Sequence, residues 1–153
     1  LDFESRIPYH LATQLALARI SKTLVETGHA EYLNEVHDRY SKIAELYPGF
    51  PTLVGTASTA IASTGDYEYA IELADRAIAT EGVTRNWSKA WYSRGVSNLN
   101  LGLIDQGTED LIIATEKDPG SEGARLAHSI LSEVFRRQGD LEQANIHERK
   151  ATE

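Results

Sequence analysis

The 153-residue sequence contains no cysteine and no methionine, and it has only four prolines and three phenylalanines. Without cysteine the chain can form no disulfide, no thiolate metal site and no thiol nucleophile. No apolar run approaches the ~18 residues of a membrane span, and no charged-then-apolar signal sequence opens the chain. Because it begins at Leu1 and lacks methionine, we expect it to be a segment of a longer protein. These absences predict a soluble domain.

Positive charge is also scarce. The chain has 23 acidic and 15 basic residues, which give a formal net charge of -8. Such a surface repels phosphate backbones and anionic lipid. We therefore predict that the partner is neither a nucleic acid nor a membrane surface. The length is enough for one domain with a core of its own.

Glycine recurs at a fixed interval along the chain. Gly28, Gly65, Gly102 and Gly139 lie 37 residues apart each time. Residues 88–121 have the pattern of two short amphipathic helices joined at the third of these glycines. A glycine in this position can adopt the left-handed conformation that ends a helix. The interval therefore predicts four helical hairpins in phase.

Three residues of the third unit match a known repeat signature. The unit has Trp91, Gly95 and Pro119 in the order and spacing of the signature W-x2-L-G-x2-Y, followed by A-x3-F and then P. It thus resembles the tetratricopeptide family. Four signature positions differ, because Leu, Tyr, Ala and Phe are replaced in turn by Arg94, Asn98, Gly107 and Leu111. The resemblance implies an all-α, right-handed solenoid of four helix-turn-helix repeats. It also implies a scaffold that binds a protein or peptide.

The apolar period and the turn residues give the expected boundaries. Residues 1–8 are interpreted as a linker or the end of a preceding element, and residues 9–153 as the repeat domain. Its repeats are expected at about 9–50, 51–84, 85–120 and 121–153. We predict eight helices and no strand, including helices 9–27, 30–46 and 67–80. Breaks are expected at Gly28, Pro48, Gly65, Gly82, Gly102, Pro119 and Gly139. Candidate N-caps are Ser121 and either Thr84 or Asn86.

The glycine register also predicts packing. Small residues dominate the position five after each glycine, where the two helices of a hairpin would cross: Leu33, Ala70, Gly107 and Ala144. The position eleven before each glycine is expected to be mostly core: Leu17, Val54, Trp91 and His128.

No pattern in the sequence indicates catalysis. The histidines show no metal-ligand spacing and are expected to be solvated or half-buried: His10, His29, His37, His128 and His147. No serine lies in G-x-S-x-G, and no glycine-rich loop precedes a helix in the phosphate-binding manner. We therefore predict no metal, no cofactor and no enzymatic activity.

The resemblance implies that the first helix of each repeat lines a concave groove. By register its inward positions are Leu15, Ala18, Lys22 and Val25; Thr52, Gly55, Thr59 and Ala62; Lys89, Tyr92, Val96 and Leu99; Leu126, Ser129, Glu133 and Arg136. The partner-binding candidates among them are Lys22, Thr52, Thr59, Lys89, Tyr92, Val96, Leu99, Glu133 and Arg136. The small residues of the second repeat are expected to leave space beside the Tyr92 ring, which is of the kind enriched in binding hot spots. The three cations predict an acidic ligand segment.

Two alternatives stay open. In the first, the chain is a soluble domain of a larger bacterial envelope or membrane protein, such as a polysaccharide polymerase or secretion component. In the second, it is a module that self-associates through its end helices. The compartment is then the cytoplasm or one face of the cell envelope. A co-chaperone role is disfavoured, because only Lys89 matches the family's carboxylate clamp at the corresponding positions, Ala18, Lys22, Thr56, Lys89 and Ser93.

Overall fold

The computed structural model describes residues 7–80 and 88–153. Within them the chain forms eight α-helices and no strand, as predicted. The helices are α1 (Ile7–Glu26), α2 (Leu33–Leu46), α3 (Pro51–Ala62), α4 (Tyr67–Ala79), α5 (Ser88–Asn100), α6 (Ile104–Lys117), α7 (Glu122–Gln138) and α8 (Leu141–Thr152). A single 3-10 turn, Ala30–Tyr32, precedes α2. The first helix begins two residues earlier than expected, at Ile7.

The four turn glycines all adopt the left-handed conformation, with φ of 101°, 91°, 81° and 83° along the chain. At three of these turns the backbone N–H of the residue after the glycine donates a hydrogen bond to a carbonyl in the last turn of the helix. His29 donates to the Leu24 carbonyl, Leu103 to that of Asn98 and Asp140 to that of Phe135, each at 2.9 Å. This six-to-one hydrogen bond is the helix-ending arrangement that glycine permits. The predicted hairpin turns are therefore confirmed.

Four of the described helices, α3, α4, α7 and α8, begin with the expected chemistry. Ser121 Oγ accepts a hydrogen bond from the Ala124 N–H at 3.0 Å, which confirms it as an N-cap. Asp66 and Asp140, each directly after a turn glycine, cap α4 and α8 in the same way. Pro51 is the first residue of α3, where its missing N–H costs nothing. The predicted break at Gly82 and the caps at Thr84 or Asn86 lie outside the described residues.

Each helix packs against its neighbour in sequence, and α5 also packs against α3 and α7. The small residues predicted at the helix crossings are buried, with Ala70 and Ala144 at 0% exposure. The core positions eleven before each glycine are buried in the second and fourth repeats, at Val54 and His128. Leu17, the first of that set, is 38% exposed. It lies on the outer side of the first helix, where no described helix covers it.

Among the described residues, every helix is too short or too polar to cross a lipid bilayer.

Candidate partner-binding face

The nine candidate residues lie on the first helices α1, α3, α5 and α7, and we call the surface that they form the first-helix face. All nine keep accessible surface. The half-buried members are Lys22, Thr59, Tyr92, Val96 and Leu99, and the exposed members are Thr52, Lys89, Glu133 and Arg136. On α7 the side chains of Glu133 and Arg136 are 51% and 43% exposed.

Three other positions expected on this face are buried instead. Ala18 is 0% and Ala62 9% exposed. A Cβ added at Gly55 would lie 3.6 Å from the Cβ of Ala90 and 3.9 Å from that of Ala77. The space expected beside Tyr92 is therefore not provided by Gly55, because neighbouring helices pack against it. The register placed Gly55 on the face but did not show that other helices cover it, because small residues allow helices to approach closely.

A hydrogen-bonded serine pair joins α3 to α5 inside this packing. Ser58 Oγ and Ser93 Oγ are 2.6 Å apart, and Ser58 Oγ also donates to the Ala70 carbonyl at 2.7 Å. Both serines are almost fully buried. Since a buried hydroxyl is costly without partners, the pair fixes the position of α5 relative to α3.

The apolar part of the first-helix face is a stripe on α5. Tyr92, Val96 and Leu99 pack with one side against a core cluster of Leu111, Ala127 and Leu131. Burial raises the pKa of the Tyr92 phenol, so its hydroxyl stays protonated near neutral pH and can donate a hydrogen bond. The stripe thus offers anchored apolar side chains with one accessible side.

The charges of the face differ from the expected positive groove. Lys22 pairs with Glu26 one turn later on α1. Arg136 lies 3.6 Å from a Glu133 carboxylate oxygen and 3.1 Å from one of Glu148. Lys89 is exposed and makes no ion pair with any described residue. Among the described residues, Lys89 is thus the one of these three cations that has no ion-pair partner, and the other two are compensated.

A polar network that the sequence pattern did not predict joins α5 to α6. Arg94 and Asn98, two of the departures from the family signature, both donate to the buried carboxylate of Asp110. Arg94 also donates to Asp75 of α4 at 2.7 Å, and its guanidinium lies 4.7 Å from the centre of the Trp91 ring. One feature of the sequence could have indicated this network: Arg94 and Asn98 replace the Leu and Tyr of the signature within one helix.

Two histidines are buried, which at His128 agrees with its core register position and at His147 was not expected. His128 and His147 are 7% and 9% exposed, so they are buried rather than solvated or half-buried. Their Nδ1 atoms lie 2.8 Å apart. In the described part of the chain, no three or more His, Cys, Asp or Glu side chains are grouped as a metal site.

Comparison with known proteins locates the fold among helical repeats. No family model matches the chain. Over 99 residues it is 28% identical to the mouse serine/threonine-protein phosphatase 5, a protein with tetratricopeptide repeats, and this match covers 65% of the chain. It spans only 19% of the length of that phosphatase.

Solved structures of MamA, a tetratricopeptide-like solenoid, share the architecture. A crystal structure of MamA superposes with a TM-score of 0.66 at 19% identity, covering 91% of this chain and 76% of MamA. A double mutant of MamA from strain RS-1 gives 0.65 at 17% identity, with 91% and 73% covered. Together with the four glycine-turned hairpins, these likenesses show that the chain has a tetratricopeptide-like helical-repeat fold.

Proposed function

We propose that the chain is a protein-interaction scaffold that binds an extended peptide or a partner helix along the first-helix face. The observation that carries the proposal is the α5 stripe of Tyr92, Val96 and Leu99, which is held from behind by the core and open in front. Aromatic side chains anchored in this way are the usual centres of binding energy at interfaces. The proposal includes no catalytic step.

The charge of the face favours a ligand segment that is apolar and carries an acidic residue. Lys89 lies one turn before Tyr92 on α5, with no described anion beside it. A carboxylate on the ligand would meet this ammonium at the edge of the apolar stripe, while the protonated Tyr92 phenol could donate to a ligand carbonyl. The remainder of the surface is acidic and would repel the same ligand elsewhere.

A peptide-display selection tests this proposal and requires no named partner. Random peptides are selected on the wild-type chain, and the affinity of the recovered peptides is then measured by calorimetry for the wild type and its variants. We expect Tyr92→Ala to weaken binding by about 2 kcal/mol, roughly 30-fold, while far-UV circular dichroism stays unchanged. Tyr92→Phe keeps the ring and should retain most of the affinity.

The matched charge control is Lys42→Glu on α2, a lysine outside the first-helix face. It should leave binding unchanged, whereas Lys89→Glu should weaken it. Peptides that bind wild type and Tyr92→Ala equally well would show that another surface of the stack is the binding site.

Self-association through α1 is a second candidate, and a specific observation favours it. Leu17 and Ile20 on the outer side of this helix are 38% and 57% exposed. Sedimentation across a concentration series should show a larger species at high concentration that Ile20→Glu removes. Leu141→Glu, at a 61% exposed leucine of α8, is the control. A single mass at all concentrations would reject this candidate.

A further inference from the structure

The last hairpin contains a buried contact between two titratable side chains. His128 of α7 and His147 of α8 face each other through Nδ1 atoms 2.8 Å apart, with ring centres at 5.0 Å. Phe135 stacks on His147, with a centroid distance of 5.4 Å and an interplanar angle of 15°. Both imidazoles are more than nine-tenths buried. Little water therefore reaches the hydrogen bond between them.

This geometry limits how many protons the pair can hold. A hydrogen bond between two Nδ1 atoms needs one N–H donor and one lone pair. Two neutral imidazoles of complementary tautomers satisfy it, and one imidazolium facing one neutral ring also satisfies it. Two imidazolium rings cannot, because two N–H groups with like charge then face each other. The doubly protonated pair is compatible only with separated helices.

We propose that the contact between His128 and His147 makes the last hairpin a proton-operated latch, in which α8 detaches from α7 when both imidazoles are protonated. The hairpin packs against the third repeat through α7, which contacts α5 and α6, and each solenoid repeat packs only against its neighbours. Its opening can therefore stay local, while α3 and α4 remain folded. Detachment would expose Leu131 and Phe135, which now pack in the core cluster of the last two repeats.

The charges around the pair support this behaviour. Burial lowers the pKa of both histidines below their ordinary value of 6.5, and Lys150 of α8 lowers each further. Glu153 at the end of the chain opposes this effect at His128. A cleft of about 550 Å³ beside His128 is lined by further charged groups, Glu116 of α6 and Arg125 of α7. At His147 the charge of His128 lowers the pKa as well, so the contact itself adds to the effect of burial.

The direction of the pH effect follows from these shifts. Because the folded pair has lowered pKa values, the open hairpin binds protons more readily than the closed one. The stability of the contact is fully present above about pH 6.5 and decreases as the pH falls toward the lowered pKa values. The latch is therefore closed at neutral pH and opens in mild acid.

Amide hydrogen exchange on the 153-residue chain tests the latch. Rates measured at about pH 7.5 and about pH 5 are each divided by the intrinsic rate at that pH, which removes the chemical pH dependence. We expect protection of residues 141–152 to fall by about tenfold or more in acid, with little change in 51–79. Unchanged protection of 141–152 would overturn the proposal.

Two variants and one spectroscopic measurement complete the test. The double variant His128→Asn, His147→Asn keeps a side-chain amide hydrogen bond in the same position but cannot titrate, so its acid response should vanish. His29→Asn, at an exposed histidine, should retain it. If the double variant does not fold, the imidazole resonances of the wild type decide the matter. Ordinary or raised pKa values for both histidines, or an equal acid response in the folded double variant, would refute the latch.

Discussion

Arg94 of α5 makes a two-pronged hydrogen bond to Asp110 of α6, from Nε to Oδ2 at 2.9 Å and from Nη2 to Oδ1 at 2.7 Å. The Asp110 side chain is only 6% exposed. The other edge of the guanidinium contacts Asp75, which is 54% exposed, so this part of the arginine lies near solvent. Asp110 raises the pKa of Arg94, so the guanidinium is charged at every pH at which the chain is folded. The pair joins the two helices of the third hairpin, and Arg94 stands where the signature has Leu.

Removing Arg94, the partner of the buried Asp110 carboxylate, should be far more costly than removing the exposed Asp75. Arg94→Ala leaves the Asp110 carboxylate buried with only the Asn98 amide, and we expect the free energy of unfolding to fall by about 3 kcal/mol. Asp75→Ala removes an exposed ion pair and should cost about 0.5 kcal/mol. Urea unfolding of the two variants measures the difference. Equal effects would mean that burial of Asp110 does not matter for stability.

Two glycines set the crossing of α5 and α6. A Cβ added to Gly107 would lie 2.7 Å from the Cγ of Leu99 and 2.9 Å from the carbonyl oxygen of Gly95. The second atom belongs to the backbone and cannot rotate away. We therefore expect Gly107→Ala to destabilise the chain by about 2 kcal/mol, despite the higher helix propensity of alanine.

Gly123 of α7 provides the control for this substitution. A Cβ there would meet nothing closer than 3.7 Å, which is ordinary contact. Gly123→Ala should therefore stabilise the chain by about 0.5 kcal/mol. Thermal melts of both variants show whether the sign reverses between the two helices, and destabilisation by both would contradict the steric explanation.

The hairpins could be predicted from the sequence because their determinants are local. A glycine with positive φ, an apolar period of about 3.6 residues and, at two of the four turns, a following aspartate that caps the next helix all act within a few residues. For this reason the breaks at Gly28, Gly65, Gly102 and Gly139 were predictable. The register tells which side of a helix a residue occupies, but not how buried or charged that side is. The candidate face was therefore predictable only as a set of positions.

Burial and charge on that face depend on residues distant in sequence. Gly55 is covered by Ala90, and Arg136 is neutralised in part by Glu148, twelve residues later on another helix. Neither contact has a signal in a single sequence. The buried histidine contact is a similar case, because only the packing of α8 on α7 brings His147 to His128. Because the sequence does not show the contact between Arg136 and Glu148, its pattern overestimated the positive charge of the face.

The same register position differs sharply between the first and the last repeat. Ile20 and Leu131 both lie eight residues before a turn glycine, but Ile20 is 57% exposed and Leu131 is 0% exposed. We expect Leu131→Ala to lower the free energy of unfolding by about 3 kcal/mol. Ile20→Ala should change it by about 0.5 kcal/mol or less. Chemical unfolding tests this pair, and a large loss from Ile20→Ala would mean that α1 has a packing partner in solution.

The charges of the first-helix face should differ in their effect on ligand association. Lys89 has no described anion beside it, whereas Arg136 lies close to Glu133 and Glu148. Lys89→Glu should therefore slow the association of a selected acidic peptide by about tenfold at low salt and weaken the salt dependence of the rate, because rim charges mainly steer encounter. Arg136→Glu should slow it less, since neighbouring carboxylates already screen the arginine. Stopped-flow association at two salt concentrations distinguishes the two variants, and a larger effect of Arg136→Glu would shift the charged part of the site from α5 to α7.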